Sequence, residues 1–180
     1  MIPERYKNAE YESVPEQIRA LCKSMGESRK GIYLHGSVGT GKTHFAYAIK
    51  KHHDKPETGR FAMLWNMTEL LHDMRKDFDA PYGEKMRPEE SIMAHKGLVI
   101  IDDVGAEKIS DWVAETFYLI VNRRYEDMLP TIFTSNLNPQ ALADRIGDRT
   151  VSRIVEMCDV VEISGTDRRI TNVKSNKVNV

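Results

Sequence analysis

The chain has 180 residues, of which 41% are hydrophobic and 29% charged, and its formal net charge is −1 at pH 7. A chain of this length can bury roughly 70% of the surface that its unfolded form exposes, so we expect one domain that needs neither disulfide bonds nor a structural metal. The nearly balanced charge argues against a surface devoted as a whole to nucleic acid, but it is compatible with a local basic site.

The two cysteines, Cys22 and Cys158, lie far apart and have no Cys or His at metal-ligand spacing. This arrangement favours free thiols in a reducing compartment over a zinc site. The residues after Met1 lack the apolar core of a signal peptide, and no apolar run is long enough to span a membrane. We therefore expect a cytoplasmic protein.

Residues 1–13 are polar and are predicted to form an extended arm. Ser13, with Glu16 three residues later, predicts the start of a first helix, and Gly26 predicts its end. Farther along the chain, apolar residues recur at helical spacing between turn-forming residues. Further helices are predicted at 44–53, 68–78, 110–127, 138–146 and 148–157, with a short one from residue 88.

Short apolar runs between these helices predict strands. The predicted strands are 31–35, 61–65, 98–103, 131–134 and 160–163. Their nearly continuous apolar character is typical of strands covered on both faces. Strands that alternate with helices predict a parallel α/β sheet with right-handed crossovers, in which ligands gather at the carboxyl ends of the strands.

A phosphate-binding loop is predicted between the first strand and the following helix, where the chain fits the pattern G-x-x-x-x-G-K-[ST]. Its glycines allow a tight turn, and the helix N-terminus favours a phosphate. We expect Lys42 to reach the β- and γ-phosphates of ATP and the Thr43 hydroxyl to bind Mg²⁺. The alternative is a flexible glycine turn, but the flanking strand and helix favour nucleotide binding. The loop residues are Gly36, Ser37, Val38, Gly39, Thr40, Gly41, Lys42 and Thr43.

Polar side chains follow the third and fourth predicted strands. Asp102 is expected to hold Mg²⁺, because a hard cation prefers carboxylate oxygens, and Asp103 to polarise the attacking water. The alternative is a pair of solvated acids at a strand end. Asn136 can hydrogen-bond the water or the γ-phosphate, but the turn-forming residues around it favour simple turn chemistry when its local sequence is considered alone.

Two sets of basic residues indicate a functional role less strongly than the phosphate loop and the aspartates do. The late arginines, among them Arg145 and Arg149, are expected to be solvated, although no arginine lies in the phosphate loop and a cation from a neighbouring subunit would aid phosphoryl transfer. In the segment 67–96, basic residues lie near aromatic ones, as on surfaces that bind single-stranded DNA. An ordinary amphipathic helix is the alternative there. The candidate DNA contacts are Arg75, Lys76 and Phe78.

Together these motifs resemble the DnaC/DnaI-type bacterial helicase loaders and the related IstB ATPases of the AAA+ superfamily. The resemblance covers about residues 1–170 and leaves 171–180 as a polar tail. It implies a three-layer α/β/α sandwich with a five-stranded parallel sheet in the order 5-1-4-3-2, no separate lid domain, and an initiator-type or loader-type insert at about 67–96. The matching segments are 2–9, 36–43, 101–107, 122–125, 129–137 and 147–156.

The resemblance also implies roles for single residues. Asn136 looks like the sensor-1 residue, and Arg153 looks like the arginine finger that acts on the ATP of the adjacent subunit. Arg169 would be the sensor-2 arginine, with Arg168 as the alternative register. Phe78 falls near a position that contacts single-stranded DNA in relatives.

As a whole, the resemblance implies an ATP-dependent loader that self-associates through its ATP sites and delivers a replicative helicase to single-stranded DNA. The alternatives are an IstB-like transposition helper, whose partner would be a transposase, and a nucleotide switch that binds a protein without DNA. A small-molecule kinase would leave Arg153 unexplained. The aspartate pair, where many relatives carry Asp-Glu, suggests slow hydrolysis. The core begins almost at Met1, which suggests a minimal loader or a truncated chain.

Overall fold

A computed structural model describes residues 2–76, 86–106 and 110–167. Its centre is a five-stranded sheet in which every neighbouring pair is parallel. The spatial order is β2-β3-β4-β1-β5, which confirms the order that the resemblance implied. The strands are β1 (Gly31–His35), β2 (Met63–Asn66), β3 (Val99–Asp102), β4 (Thr131–Ser135) and β5 (Cys158–Glu162).

Helices cover both faces of this sheet. In chain order they are α1 (Glu16–Ser28), α2 (Lys42–His53), α3 (Met67–Lys76), α4 (Pro88–Ala94), α5 (Asp111–Glu126), α6 (Pro139–Ile146) and α7 (Asp148–Met157). Alternate strand residues enter two separate cores, as the two-residue period of a strand requires. Tyr33, Ile101 and Phe133 pack with helices α3 to α7, whereas Ile32 and Ile100 pack with α1 and α2. The predicted three-layer sandwich is therefore confirmed.

The N-terminal arm is not extended as predicted. It contains short 3₁₀ turns at Glu4–Tyr6 and Tyr11–Ser13, and it lies against α2. The predicted helix start at Ser13 is also wrong, because α1 begins at Glu16 after Pro15. The Ser13 hydroxyl instead donates to the Glu10 carbonyl at 2.6 Å within the second turn. The arm is folded because Ala9, and Val14 directly after the arm, are buried in the core beside α1 and α2. Tyr6 and Tyr11 pack against the same core.

Several other boundaries differ from the predictions by a few residues, among them those of α1 and β2. Helix α1 continues through Gly26 to Ser28, and Arg29 takes the left-handed conformation (φ 54°) that ends it. A glycine inside a helix costs only about 1 kcal/mol, and the neighbouring Met25 is buried in the core. Strand β2 begins at Met63 and leaves Phe61 52% exposed. Within the described residues, no helix combines the length and apolar character that crossing a membrane requires.

Candidate nucleotide-binding site

The phosphate loop joins the end of β1 to the first residue of α2. Gly36 has φ +149°, and a Cβ there would lie 2.1 Å from the carbonyl oxygen of Ile163. Gly41 has φ +101° and directly precedes α2. A residue with a side chain would be strained at both positions. The glycines therefore let the loop fold tightly over the N-terminus of α2, where backbone N–H groups and the helix dipole favour an anion.

The ammonium group of Lys42 is enclosed by this loop. Its Nζ donates hydrogen bonds to the carbonyl oxygens of Gly36 at 2.7 Å and Ser37 at 2.8 Å. The Thr40 hydroxyl donates to the same Ser37 carbonyl at 2.9 Å. Lys42 is only 7% exposed, so its positive charge is held inside the loop, next to the place where a phosphate group would bind. This arrangement fits the predicted role of the lysine.

Asp102, the last residue of β3, is 2% exposed and accepts a hydrogen bond from the Thr134 hydroxyl at 2.5 Å. Burial raises the pKa of this carboxyl, whereas hydrogen bonds with Thr134 and Thr43 act in the opposite direction. The fold thus brings together the two side chains predicted to hold Mg²⁺, and their hard oxygen atoms suit that cation. Within the described residues, no group of three or more His, Cys, Asp or Glu side chains could hold a metal.

Asp103 follows the strand in a left-handed conformation, with φ +62°. Its backbone N–H donates to the Thr134 hydroxyl at 2.9 Å, and its carboxylate accepts a hydrogen bond from the Asn136 side-chain amide at 3.1 Å. Non-glycine residues with positive φ are uncommon and cluster at functional sites. The turn separates the two aspartates: Asp102 stays buried, and Asp103 reaches the cleft beside Asn136.

Asp103 and Asn136 line a cleft of about 470 Å³, a volume in the range of small-molecule sites. Its lining includes residues for which the sequence indicated no site role: Thr134, His44 and, from the N-terminal arm, Arg5 and Tyr6. The described residues that line the cleft are Arg5, Tyr6, Val38, Gly39, Gly41, Lys42, Thr43, His44, Asp103, Thr134 and Asn136.

The arm is fastened to α2 beside this cleft. The Tyr6 ring stacks on the Tyr47 ring at a centroid distance of 4.4 Å. Lys51 Nζ donates to the carbonyl oxygens of Lys7 and Ala9, both at 2.8 Å. A local pattern could not have revealed these pairings, because the partners lie about forty residues apart in the chain. The stack holds Tyr6 in the wall of the cleft.

Arg153 does not line this cleft. It lies on α7, where its Nε donates to the Asn122 side-chain oxygen at 2.7 Å. The structure therefore does not bring Arg153 to the phosphate loop of its own chain. A role in ATP hydrolysis would require the cleft of another copy.

The candidate DNA contacts are only partly described. Arg75 and Lys76 are exposed in the last turn of α3, whereas Leu70, Leu71 and Met74 of the same helix are buried. Phe78 and both sensor-2 candidates, Arg168 and Arg169, lie outside the described residues, and their roles stay predictions.

Comparison with known families gives a match over nearly the whole chain. The family model of IstB-like ATP-binding proteins matches residues 9–176. The chain is 25% identical over 170 residues to the replicative helicase loader DnaI of Bacillus subtilis (strain 168), in an alignment that covers 86% of this chain and 53% of that protein. The chain spans about half the length of the curated relatives it matches.

Solved structures show the same fold. A crystal structure of the DnaC helicase loader is similar with a TM-score of 0.75 at 28% identity, covering 90% of this chain and 100% of that chain. A crystal structure of DnaI has a TM-score of 0.73 at 26% identity, covering 94% and 95%. The arrangement of sheet and helices is therefore that of an AAA+ P-loop protein, as the sequence motifs indicated.

Proposed function

The chain belongs to the family of IstB-like ATP-binding proteins, and we propose that it hydrolyses ATP at a site completed by a second copy and so loads a replicative helicase onto single-stranded DNA. The observation that best supports ATP hydrolysis is the group of hydrogen-bonded side chains at the carboxyl end of the sheet. Thr134 joins the backbone of Asp103 to the carboxylate of Asp102, and Asn136 binds the side chain of Asp103.

The positions of these groups suit hydrolysis of a triphosphate. Lys42 and the N-terminus of α2 would bind the phosphates, and Thr43 with Asp102 would hold Mg²⁺, which supplies positive charge to the phosphate oxygens when bound. The Asp103 carboxylate, oriented by the Asn136 amide, would orient and polarise the attacking water. Arg5 and Tyr6, which also line the cleft, would lie beside the nucleoside of the bound ATP.

A complete site also needs cationic charge opposite the phosphate that is transferred, because phosphoryl transfer is catalysed mainly by positioning and electrostatic stabilisation. Among the described residues that line the cleft, the positively charged side chains are Arg5 and Lys42, and Lys42 belongs to the phosphate loop. Arg153 on α7 would supply that charge to the ATP of a neighbouring copy. Hydrolysis would then depend on self-association.

The proposed helicase partner rests on the relatives, since DnaI and DnaC are named as helicase loaders. Arg75 and Lys76, exposed at the end of α3, would contribute to single-stranded DNA binding together with Phe78. The family match favours a second candidate, an IstB-like transposition helper with a transposase as partner. Both candidates use the same ATPase site.

Mixing two inactive variants tests the shared site. Asp103→Asn disables water activation in its own cleft but keeps Arg153, whereas Arg153→Ala keeps its own cleft and lacks the finger. Each alone should lose at least about a hundredfold in ATP hydrolysis. A mixture should recover a measurable fraction of the activity, because half-sites of opposite type meet at some interfaces.

Lys42→Ala is the control, because it should fail to bind ATP and should not rescue Asp103→Asn. Absence of recovery at every mixing ratio would contradict a site shared between copies. The partner is tested separately: DNA-fork unwinding by the replicative helicase should increase when this protein and ATP are present. Unchanged unwinding would favour the transposition helper.

A further inference from the structure

Arg153 belongs to a surface cluster that involves a second arginine. The guanidinium carbon of Arg149 lies 4.3 Å from the centroid of the Tyr118 ring, and that of Arg153 lies 4.9 Å from the same centroid. The Tyr125 ring lies 5.7 Å from the guanidinium of Arg153. Tyr118 on α5 is thus shared by two cations from α7, each at a distance typical of cation–π attraction.

Hydrogen bonds fix the same cluster. The side-chain oxygen of Asn122 accepts from Arg153 Nε at 2.7 Å and from the Tyr118 hydroxyl at 3.4 Å. Arg153 Nη1 donates to the carbonyl oxygen of Arg149 at 3.3 Å. The guanidinium of Arg153 is therefore held along one edge by an amide and a carbonyl and on one face by an aromatic ring.

Among the described residues, no carboxylate is paired with either of the two arginines, Arg149 and Arg153. The glutamates of this surface have other partners: Glu156 accepts from the Tyr125 hydroxyl at 2.8 Å, and Glu126 accepts from the Asn122 amide at 2.9 Å. Two ordered positive charges with no acidic partner in the part of the chain that the structure describes form a surface suited to an anion from another molecule.

We propose that Tyr118 is a positioning residue that holds Arg149 and Arg153 as a pair of cations for the triphosphate in the cleft of a neighbouring copy. This inference rests on the proposed shared site and adds Arg149 and Tyr118 to it. The two arginines are four residues apart on α7, so they lie one turn apart on the same helix face. Both can therefore reach one polyphosphate, and its negative charge complements theirs.

The first test compares variants of Tyr118 in the full chain. Tyr118→Leu removes the ring and should lower kcat for ATP about tenfold, with KM and nucleotide binding unchanged. Tyr118→Phe keeps the ring face and should stay within about twofold of the unaltered protein. Equal losses in both variants, or a loss confined to KM, would overturn the positioning role.

The second test removes the exposed Arg149, a change that should not disturb folding. Arg149→Gln should lower kcat about tenfold, while Arg145→Gln, the same loss of charge at an exposed site on α6, should stay within about twofold. Unchanged hydrolysis in Arg149→Gln would overturn the cation pair. So would loss of single-stranded oligonucleotide binding at unchanged hydrolysis, because it would assign this surface to DNA.

Mixing separates this inference from the proposed function. Tyr118→Leu has an intact cleft, so a mixture with Asp103→Asn should recover activity. The double variant Asp103→Asn/Tyr118→Leu should rescue Arg153→Ala about tenfold less well than Asp103→Asn alone does. If Arg153→Ala and Asp103→Asn rescue each other, and the double variant rescues Arg153→Ala as well as Asp103→Asn alone does, only the role of Tyr118 fails. If no pair shows rescue, the shared site fails and the inference falls with it.

Discussion

Arg124 on α5 and Arg153 on α7 show two ways in which this fold holds an arginine. Arg124 is fully buried, and its guanidinium donates five hydrogen bonds to oxygen atoms. Arg153 is only partly buried and is held along one edge, by Asn122 and the Arg149 carbonyl, with Tyr118 against its face. The oxygen partners of Arg124 are those of Ile92, His95, Gly97, Pro130 and Thr131.

The difference separates a structural charge from one placed for a ligand. Burial lowers the pKa of Arg124 to about 10, so its guanidinium is still cationic at neutral pH, and each hydrogen-bonded oxygen compensates part of its lost hydration. It joins the end of α4, the approach to β3 and the start of β4. Arg153 lies at the surface without a carboxylate partner among the described residues, so its charge can act on another molecule.

The largest expected effect comes from removing the buried arginine. Arg124→Met keeps an apolar side chain of moderate length but leaves several carbonyl oxygens without a donor. We expect the free energy of unfolding to fall by about 3–5 kcal/mol, measured by urea denaturation. Arg124→Lys keeps the charge with fewer donors and should lose less. Equal stability of the Met variant and the unaltered chain would contradict a structural role for these hydrogen bonds.

Arg153 should behave in the opposite way. Arg153→Gln removes cation–π contacts and one strong hydrogen bond at a partly exposed site, so we expect a loss of about 1 kcal/mol or less in the same urea measurement. ATP binding to the isolated chain, followed with a fluorescent nucleotide, should be unchanged. A loss as large as that of Arg124→Met would remove the contrast between the two arginines.

The contrast between Arg124 and Arg153 also shows which features could be predicted from the sequence and which could not. The phosphate loop and Asp102 follow from local patterns, since the spacing of the loop and the position after an apolar strand define them. Arg124 could not be distinguished from its exposed neighbour Arg123, because the burial of a helical residue depends on which elements pack against it. The Asp103–Asn136 hydrogen bond likewise joins residues 33 positions apart and depends on the order of the strands.

The arm was mispredicted for a related reason. Residues 1–13 have no apolar periodicity, and their structure comes from contacts such as the stack of Tyr6 on Tyr47. The sheet order was predicted only through the resemblance, since helix and strand patterns define a parallel sheet without giving its strand order. Gly26 predicts a helix end because glycine is common there, but α1 continues to Ser28 and ends where Arg29 takes a left-handed conformation.

Asp102 combines features of the two arginines: it is buried, as Arg124 is, and it is expected to bind a ligand, as Arg153 is. Burial raises the pKa of its carboxyl, so the folded state binds the proton more tightly than the unfolded state does. The contribution of this group to stability therefore falls as pH rises from the unfolded pKa, about 4, through the raised folded pKa. Ionised Asp102 thus lowers stability at neutral pH, a cost that Mg²⁺ binding would offset.

We therefore expect Asp102→Asn to raise the thermal midpoint by a few degrees at pH 7 while abolishing Mg²⁺-dependent ATP hydrolysis. The gain should shrink as pH falls below about 4, where both states of the unaltered protein carry a protonated Asp102. Asp144→Asn, at an exposed position on α6, is the matched control and should leave the midpoint unchanged at both pH values. A lower midpoint for Asp102→Asn at pH 7 would mean that the hydrogen bonds with Thr134 and Thr43 outweigh the cost of burying the charge.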